Sequence, residues 1–220
     1  MYQRHIVVVE DEALLRDLIA KTLEAKGFEV TTAANAADAA RAIKAHDPDA
    51  VVLDVELGPG PNGFDFADSL RRSSPEVGIV FLTNLPDPRF AGRDANELPN
   101  SISYLRKSQL VDTDQLIQAI EAVLKETISS EFRHDLDKDR PLSKLSKKQI
   151  SVLQMLASGL TNSQIAERRG TTIRAVEGIV SRIFQSLSID VQADGNARVE
   201  AAAAYPVSYT HLRAHETEAD

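Results

Sequence analysis

The chain has 220 residues, no cysteine and 43% hydrophobic content, which is enough for two modest cores and excludes a disulfide-stapled secreted scaffold. It contains no secretory h-region and no run of about 20 apolar residues, so a soluble, cytoplasmic protein is expected. The net charge of −8 is unevenly spread, with −7 over residues 1–125 and +3 over residues 141–200, and this directs any nucleic-acid contact to the back half.

The first element is an apolar run, Ile6-Val7-Val8-Val9, closed by Glu10-Asp11-Glu12. Leu14, Leu15, Leu18, Ile19 and Leu23 then recur at helical spacing, and Gly27 supplies a stop. Residues 28–32 read as a second strand, and the alanine-rich residues 36–45 as a helix ended by Asp47-Pro48. A third strand, Ala50-Val51-Val52-Leu53, closes on Asp54 and precedes a helix over about 63–73. Residues 78–82 form a fourth run ending at Thr83, and residues 102–105 a fifth, followed by Lys107. Between them Pro86, Pro88 and Pro99 leave little room for a regular helix. Asp112 with Gln115 opens a last helix, whose Leu116, Ile117, Ile120 and Leu124 face a sheet. Strands apolar throughout, alternating with helices, predict an α/β fold: a doubly wound five-stranded parallel sheet.

Ligand sites in such sheets lie outside the carboxyl ends of the strands. The residues there are Glu10, Asp11, Asp54, Thr83 and Lys107. Converging carboxylates repel one another unless a divalent cation sits among them, and hard oxygen ligands point to Mg²⁺. A lysine and a hydroxyl opposite them are what a transferred phosphoryl group requires. Asp54 is then the nucleophile, since a carboxylate can accept phosphate as an acyl phosphate.

This ordered set resembles the receiver domain of bacterial two-component response regulators, over roughly residues 4–126. The resemblance implies a flavodoxin-like receiver fold over residues 1–126 and phosphorylation of Asp54 by a sensor histidine kinase. It also implies Mg²⁺ held by Glu10, Asp11, Asp54 and the backbone carbonyl of Glu56. Thr83 and Tyr104 would form a switch pair, the hydroxyl drawn toward phosphate as the ring turns inward. No turnover of an external substrate is implied, so the protein is a phosphoacceptor and not an enzyme. Three features depart from the family pattern. The loop after Asp54 is one residue longer, Ser108 replaces a proline whose cis peptide is usual there, and residues 85–101 lack the usual helical pattern.

Residues 127–142 are polar and charged and read as a linker. The rest reads as a small all-α domain. Ser146 with Gln149 and Thr161 with Gln164 form capping boxes, Gly159 and Gly170 end the helices they open, and Thr172 caps a longer one. The buried stripe expected for that helix is Ile173, Val176, Val180, Ile183 and Leu187. Short helix, glycine-bearing turn and longer helix make the helix-turn-helix outline.

Leu145-Ser146, Val152-Leu153, Leu156 to Asn162, Ile165-Ala166, Val176 and Ile183 resemble the DNA-binding domain of LuxR/NarL-type regulators, over about residues 143–205. The resemblance implies double-stranded DNA as partner, a fourth helix near Ala197–Ala202 used in a homodimer on activation, and a recognition helix in the major groove. On this chain the contacts would come from Thr161, Asn162, Thr171, Thr172, Arg174, Glu177, Gly178, Ser181, Arg182 and Gln185. Glu177 departs from the family's usual lysine. It can accept from cytosine N4 but repels phosphate.

Two other classes compete. A helical domain that has lost DNA binding would make the chain a protein-interaction regulator. A haloacid-dehalogenase-type phosphatase would need a second aspartate two residues after its nucleophile, where this chain has Glu56. Residues 206–220, including His211 and His215, resemble translated sequencing-adapter read-through and are expected to be non-native. No ligand role is assigned to them.

Overall fold

The computed structural model describes residues 3–58, 60–85, 87–137, 142–189 and 197–205. The expected non-native tail, part of the expected linker (residues 138–141) and Pro86 lie outside them. Packing divides the chain into two units, Met1–Asp87 with Ala95–Asp137, and Pro88–Asp94 with Lys138–Asp220. Among the described residues, no helix is long and apolar enough to cross a membrane.

The first unit follows the predicted alternation: β1 (His5–Val9), α1 (Ala13–Ala25), β2 (Glu29–Ala33), α2 (Ala36–His46), β3 (Ala50–Leu53), α3 (Gly63–Ser73), β4 (Gly78–Thr83), β5 (Ile102–Arg106) and α4 (Thr113–Leu124). The sheet is parallel throughout, in the order β2-β1-β3-β4-β5. Every residue of β1, β3 and β5 is buried, as continuous apolar runs predict for strands covered on both faces. On one side Ile6, Val8, Val52, Val80 and Leu82 meet Ile19 and Leu23 of α1 and Leu116 and Ile120 of α4. Each such aliphatic chain stabilises the fold by about 1.5–3 kcal/mol. An aromatic cluster also forms, in which Phe64 of α3 meets Phe81 edge-on at 5.0 Å and stacks on Tyr104 at 6.4 Å.

Two departures from the sequence reading have physical causes, and one expectation holds. Leu14 and Leu18 of α1 are 77% and 60% exposed, because the face turned to the sheet is the Ile19, Ala20 and Leu23 stripe. The described residues of 85–101 form no α-helix, as their prolines predict, but two 3₁₀ turns, Pro88–Ala91 and Ala95–Glu97. The first half of the expected linker is folded structure. Arg133 bridges Tyr104 of β5 as a short parallel addition, and its guanidinium meets buried Asp135 through two bonds of 2.9 and 2.7 Å. Ile128 and Phe132 join the core.

The second unit contains α5 (Lys147–Ala157), α6 (Asn162–Arg168), α7 (Ile173–Ser186) and α8 (Ala197–Ala204). Both capping boxes form as read from sequence, and Thr172 caps α7 by accepting from the Ala175 amide. Gly159 and Gly170 adopt positive φ, 80° and 60°, at the helix ends they were expected to terminate. The buried stripe of α7 is Val176, Ile179, Val180, Ile183 and Phe184. Ile173 is instead 48% exposed and Leu187 half-buried, since the stripe drifts around a helix with 3.6 residues per turn. Residues 88–94 pack within this unit, where the Arg89 guanidinium donates to the carbonyls of Leu142 and Leu145.

Candidate functional site

The carboxyl ends of β1, β3, β4 and β5 deliver the predicted residues. Glu10 follows β1 directly and is pinned by its amide donating to the Ala33 carbonyl at 3.1 Å. Asp54 follows β3, with its amide donating to Val9 at 2.9 Å. The two carboxylates therefore descend from neighbouring strands, and Asp11 joins them. Oxygens of Glu10, Asp11 and Asp54 all lie within 4.8 Å of one another.

Lys107 closes this cluster. Its Nζ donates to Glu10 Oε2 at 2.6 Å and to Asp54 Oδ2 at 2.7 Å. Glu10 and Asp54 are nearly inaccessible, so these are ion pairs sheltered from water. Burial works to lower the Lys107 pKa, but Asp54 and Glu10 more than offset it and hold the amine above its usual value. Burial, and then the charge of Asp54, push the Glu10 carboxyl up from 4.5 to about 7, against the pull of Lys107. Glu56 is likewise raised to about 7 by burial and Asp54. The crowded oxygens of Glu10, Asp11 and Asp54 form an all-oxygen donor set suited to a hard divalent ion.

Thr83 is fully buried at the end of β4, and its hydroxyl accepts from the Leu85 amide at 3.2 Å. Tyr104 is also fully buried, and its hydroxyl donates to the Leu85 carbonyl at 3.0 Å. The expected switch pair thus grips one residue from both sides, with the ring inward.

On the helical unit the expected DNA-contacting residues divide. The Thr161 and Thr172 hydroxyls serve as helix caps, and Asn162 accepts from the Arg198 guanidinium at 3.0 Å. Thr171, Arg174, Gly178 and Arg182 line an open groove, whereas Glu177, Ser181 and Gln185 are exposed on α7 outside that lining.

Residues 6–121 match the response regulator receiver domain, and residues 143–194 match the luxR family of bacterial regulatory proteins. The chain belongs to the response regulator receiver family. It is a two-component response regulator with a receiver and a LuxR-type DNA-binding domain. It is 26% identical to the oxygen regulatory protein NreC of Staphylococcus haemolyticus, with 84% of this chain and 91% of that protein covered. Its fold is similar to that in an RcsB–DNA complex (TM-score 0.55, 20% identity, 93% of this chain and 100% of that one). A CheY-like receiver from Methanospirillum hungatei is similar over 57% of this chain and 97% of its own, with TM-score 0.50 and 21% identity.

Two contributors to the regulator's pocket are not evident from its sequence. Arg16 Nη1 donates to the carbonyls of Glu10 and Asp11 at 2.6 and 3.2 Å, bracing the acidic loop from the first turn of α1. Its only signal in the sequence is a lone cation just after an acidic triplet. Gly63 packs so tightly beneath the phosphoacceptor loop that an added Cβ would lie 2.2 Å from the Asp54 carbonyl. The sequence shows Gly63 only as a helix start. Of the departures from the family pattern, the long loop is accommodated by Gly58 at φ +73°, beside Asp11.

Proposed function

We propose that the regulator accepts a phosphoryl group on Asp54 from a sensor histidine kinase and thereby controls transcription through its helix-turn-helix. Asp54 Oδ attacks the phosphorus, the bond to the donor nitrogen breaks, and the acyl phosphate remains on Asp54 at the carboxyl end of β3. Glu10, Asp11, Asp54 and the Glu56 carbonyl would hold Mg²⁺, which supplies charge neutralisation at the phosphoryl oxygens when bound. Lys107 exchanges part of its pairing with Asp54 for a phosphate oxygen. Thr83 donates its hydroxyl to another oxygen, which withdraws it from the Leu85 amide. Tyr104, inward and bound to the Leu85 carbonyl, communicates that change to residues 85–94. The DNA contacts would come from α7 and the turn before it. A homodimer on activation, a cytoplasmic setting and no turnover of an external substrate complete the reading.

The observation that carries it is the Lys107 amine bridging Glu10 and Asp54 at 2.6 and 2.7 Å within a three-carboxylate cluster. Beryllofluoride binding, which mimics an acyl phosphate, tests it. The parent chain binds it only with Mg²⁺ present, and Asp54→Asn does not bind. Equal binding by both would put the acceptor elsewhere.

A further inference from the structure

β5 is an outer strand of the sheet, and one of its edges has no full strand beside it. Such an edge presents amides and carbonyls that need partners. The chain supplies them itself. After α4 it turns back, buries Phe132 in the core with Ile128 packed against it, and lays Arg133 beside Tyr104 in a parallel bridge. The next residue, His134, meets the strand through its side chain: the Arg106 amide donates to His134 Nδ1 at 3.0 Å. Two longer ties complete the attachment. Arg133 Nη1 donates to the Pro99 carbonyl at 3.2 Å, and the buried Arg106 guanidinium pairs with Asp137 at 3.3 Å. The buried pair of Arg133 with Asp135 lies wholly within the returning arm, so it shapes the arm without fastening it to the strand.

Among these ties, the bond to His134 is the one whose acceptor ordinarily titrates near neutral pH. A ring nitrogen that accepts carries no proton, so this bond requires a neutral imidazole with its hydrogen on Nε2. Protonation sets a second N–H against the Arg106 N–H and adds a cation beside the Arg106 guanidinium. The groups that face His134 are Arg106 from β5 and Glu131, Asp135 and Asp137 from the arm. Burial, and then the charge of Arg106, hold the imidazole below its usual value. The Glu131 carbonyl and the two aspartates pull the other way and are outweighed.

We propose that residues 133–137 form an acid-released latch on the β5 edge: neutral His134 keeps it shut, and protonated His134 lets it go. Because the closed form holds the lower value, the latch is fully stable above pH 6.5, where the released imidazole is neutral too. It loses stability as pH falls below that point. Opening bares the edge of β5 from Tyr104 to Arg106. It also returns residues 133–137 to the connection between the receiver and the helical unit, which adds up to about 17 Å of reach. Acid thus acts on the regulator at a place separate from Asp54 and its acidic neighbours. The latch makes no use of phosphoryl chemistry and stands or falls apart from it.

Hydrogen exchange on the whole chain, read by NMR at the Arg106 amide and corrected for the intrinsic pH dependence of exchange, tests it. From about pH 7.5 to about pH 5.5, protection of that amide in the parent falls by about five- to tenfold. That is the factor imposed by an imidazole that titrates at 6.5 once released and lower when closed. The carboxamide oxygen of His134→Asn takes the place of Nδ1 as acceptor and does not titrate, so that variant holds its protection level across the same range. Glu10 and Glu56, which titrate at about 7, are present in both proteins, and their effect cancels in the comparison. Parent protection that does not change with pH, or a decline in His134→Asn equal to the parent's, overturns the latch.

Discussion

At the carboxyl edge of the receiver sheet, Lys107, Glu10 and Asp54 satisfy one another inside the fold, whereas Arg174, Glu177 and Arg182 stand exposed along α7. The contrast follows from what each region meets. In the proposed function the pocket holds a small transferred group in fixed geometry, which fits side chains braced by strands and by neighbours before any reaction begins. In that same proposed function the helix meets a large polyanion, which would complete its charges. Burial and perturbed titration therefore mark the first region, and unpaired charge on a helix face marks the second.

Substitutions can break this contrast, beginning with the largest expected effect. Lys107→Ala removes the cation between two sheltered carboxylates, and phosphorylation by a small-molecule phosphodonor should slow by about a hundredfold or more. A rate within a few-fold of the parent would mean that the pocket is not preorganised. Gly63→Ala forces a methyl group against the Asp54 carbonyl and should cost about 3 kcal/mol in urea unfolding of the receiver. Unchanged stability there would show that the loop yields freely.

A smaller effect appears with pH. Glu10 titrates at about 7 in the folded protein against an ordinary 4.5. A raised folded pKa gives stability that is complete below pH 4.5 and lost as pH rises through about 7. In Mg²⁺-free buffer the stability of the parent minus that of Glu10→Gln should fall across that window by about 3 kcal/mol. A difference that grows with pH would contradict burial as the dominant cause. The smallest effect belongs to the helical domain, where Thr161→Ala removes the α6 cap and should cost about 1 kcal/mol, read from thermal unfolding.

Legibility in the sequence followed the same divide. Strands buried on both faces announce themselves as unbroken apolar runs, and the residue after each run is placed by the sheet rule alone. That is why Glu10, Asp54 and Lys107 could be named together. Capping boxes were equally readable, because Ser146 with Gln149 and Thr161 with Gln164 are local in sequence. Facing was harder. Periodicity showed that α1 and α7 are helices, but Leu14, Leu18 and Ile173 are apolar and exposed while Ile179 is buried, and only packing decides which apolar row turns inward. Arg16 and Gly63 depend on backbone proximity across the fold, which no local pattern encodes. The polar residues around Arg133 read as a linker because their buried pairing with Asp135 and their bridge to β5 are tertiary facts.

The most direct test of the central claim is to incubate the protein with a small-molecule phosphodonor and Mg²⁺, trap the acyl phosphate by borohydride reduction, and locate the modified residue by peptide mass. The account predicts a single Mg²⁺-dependent modification at Asp54. Modification at another carboxylate, or at Asp54 with equal yield when Mg²⁺ is chelated, would contradict it.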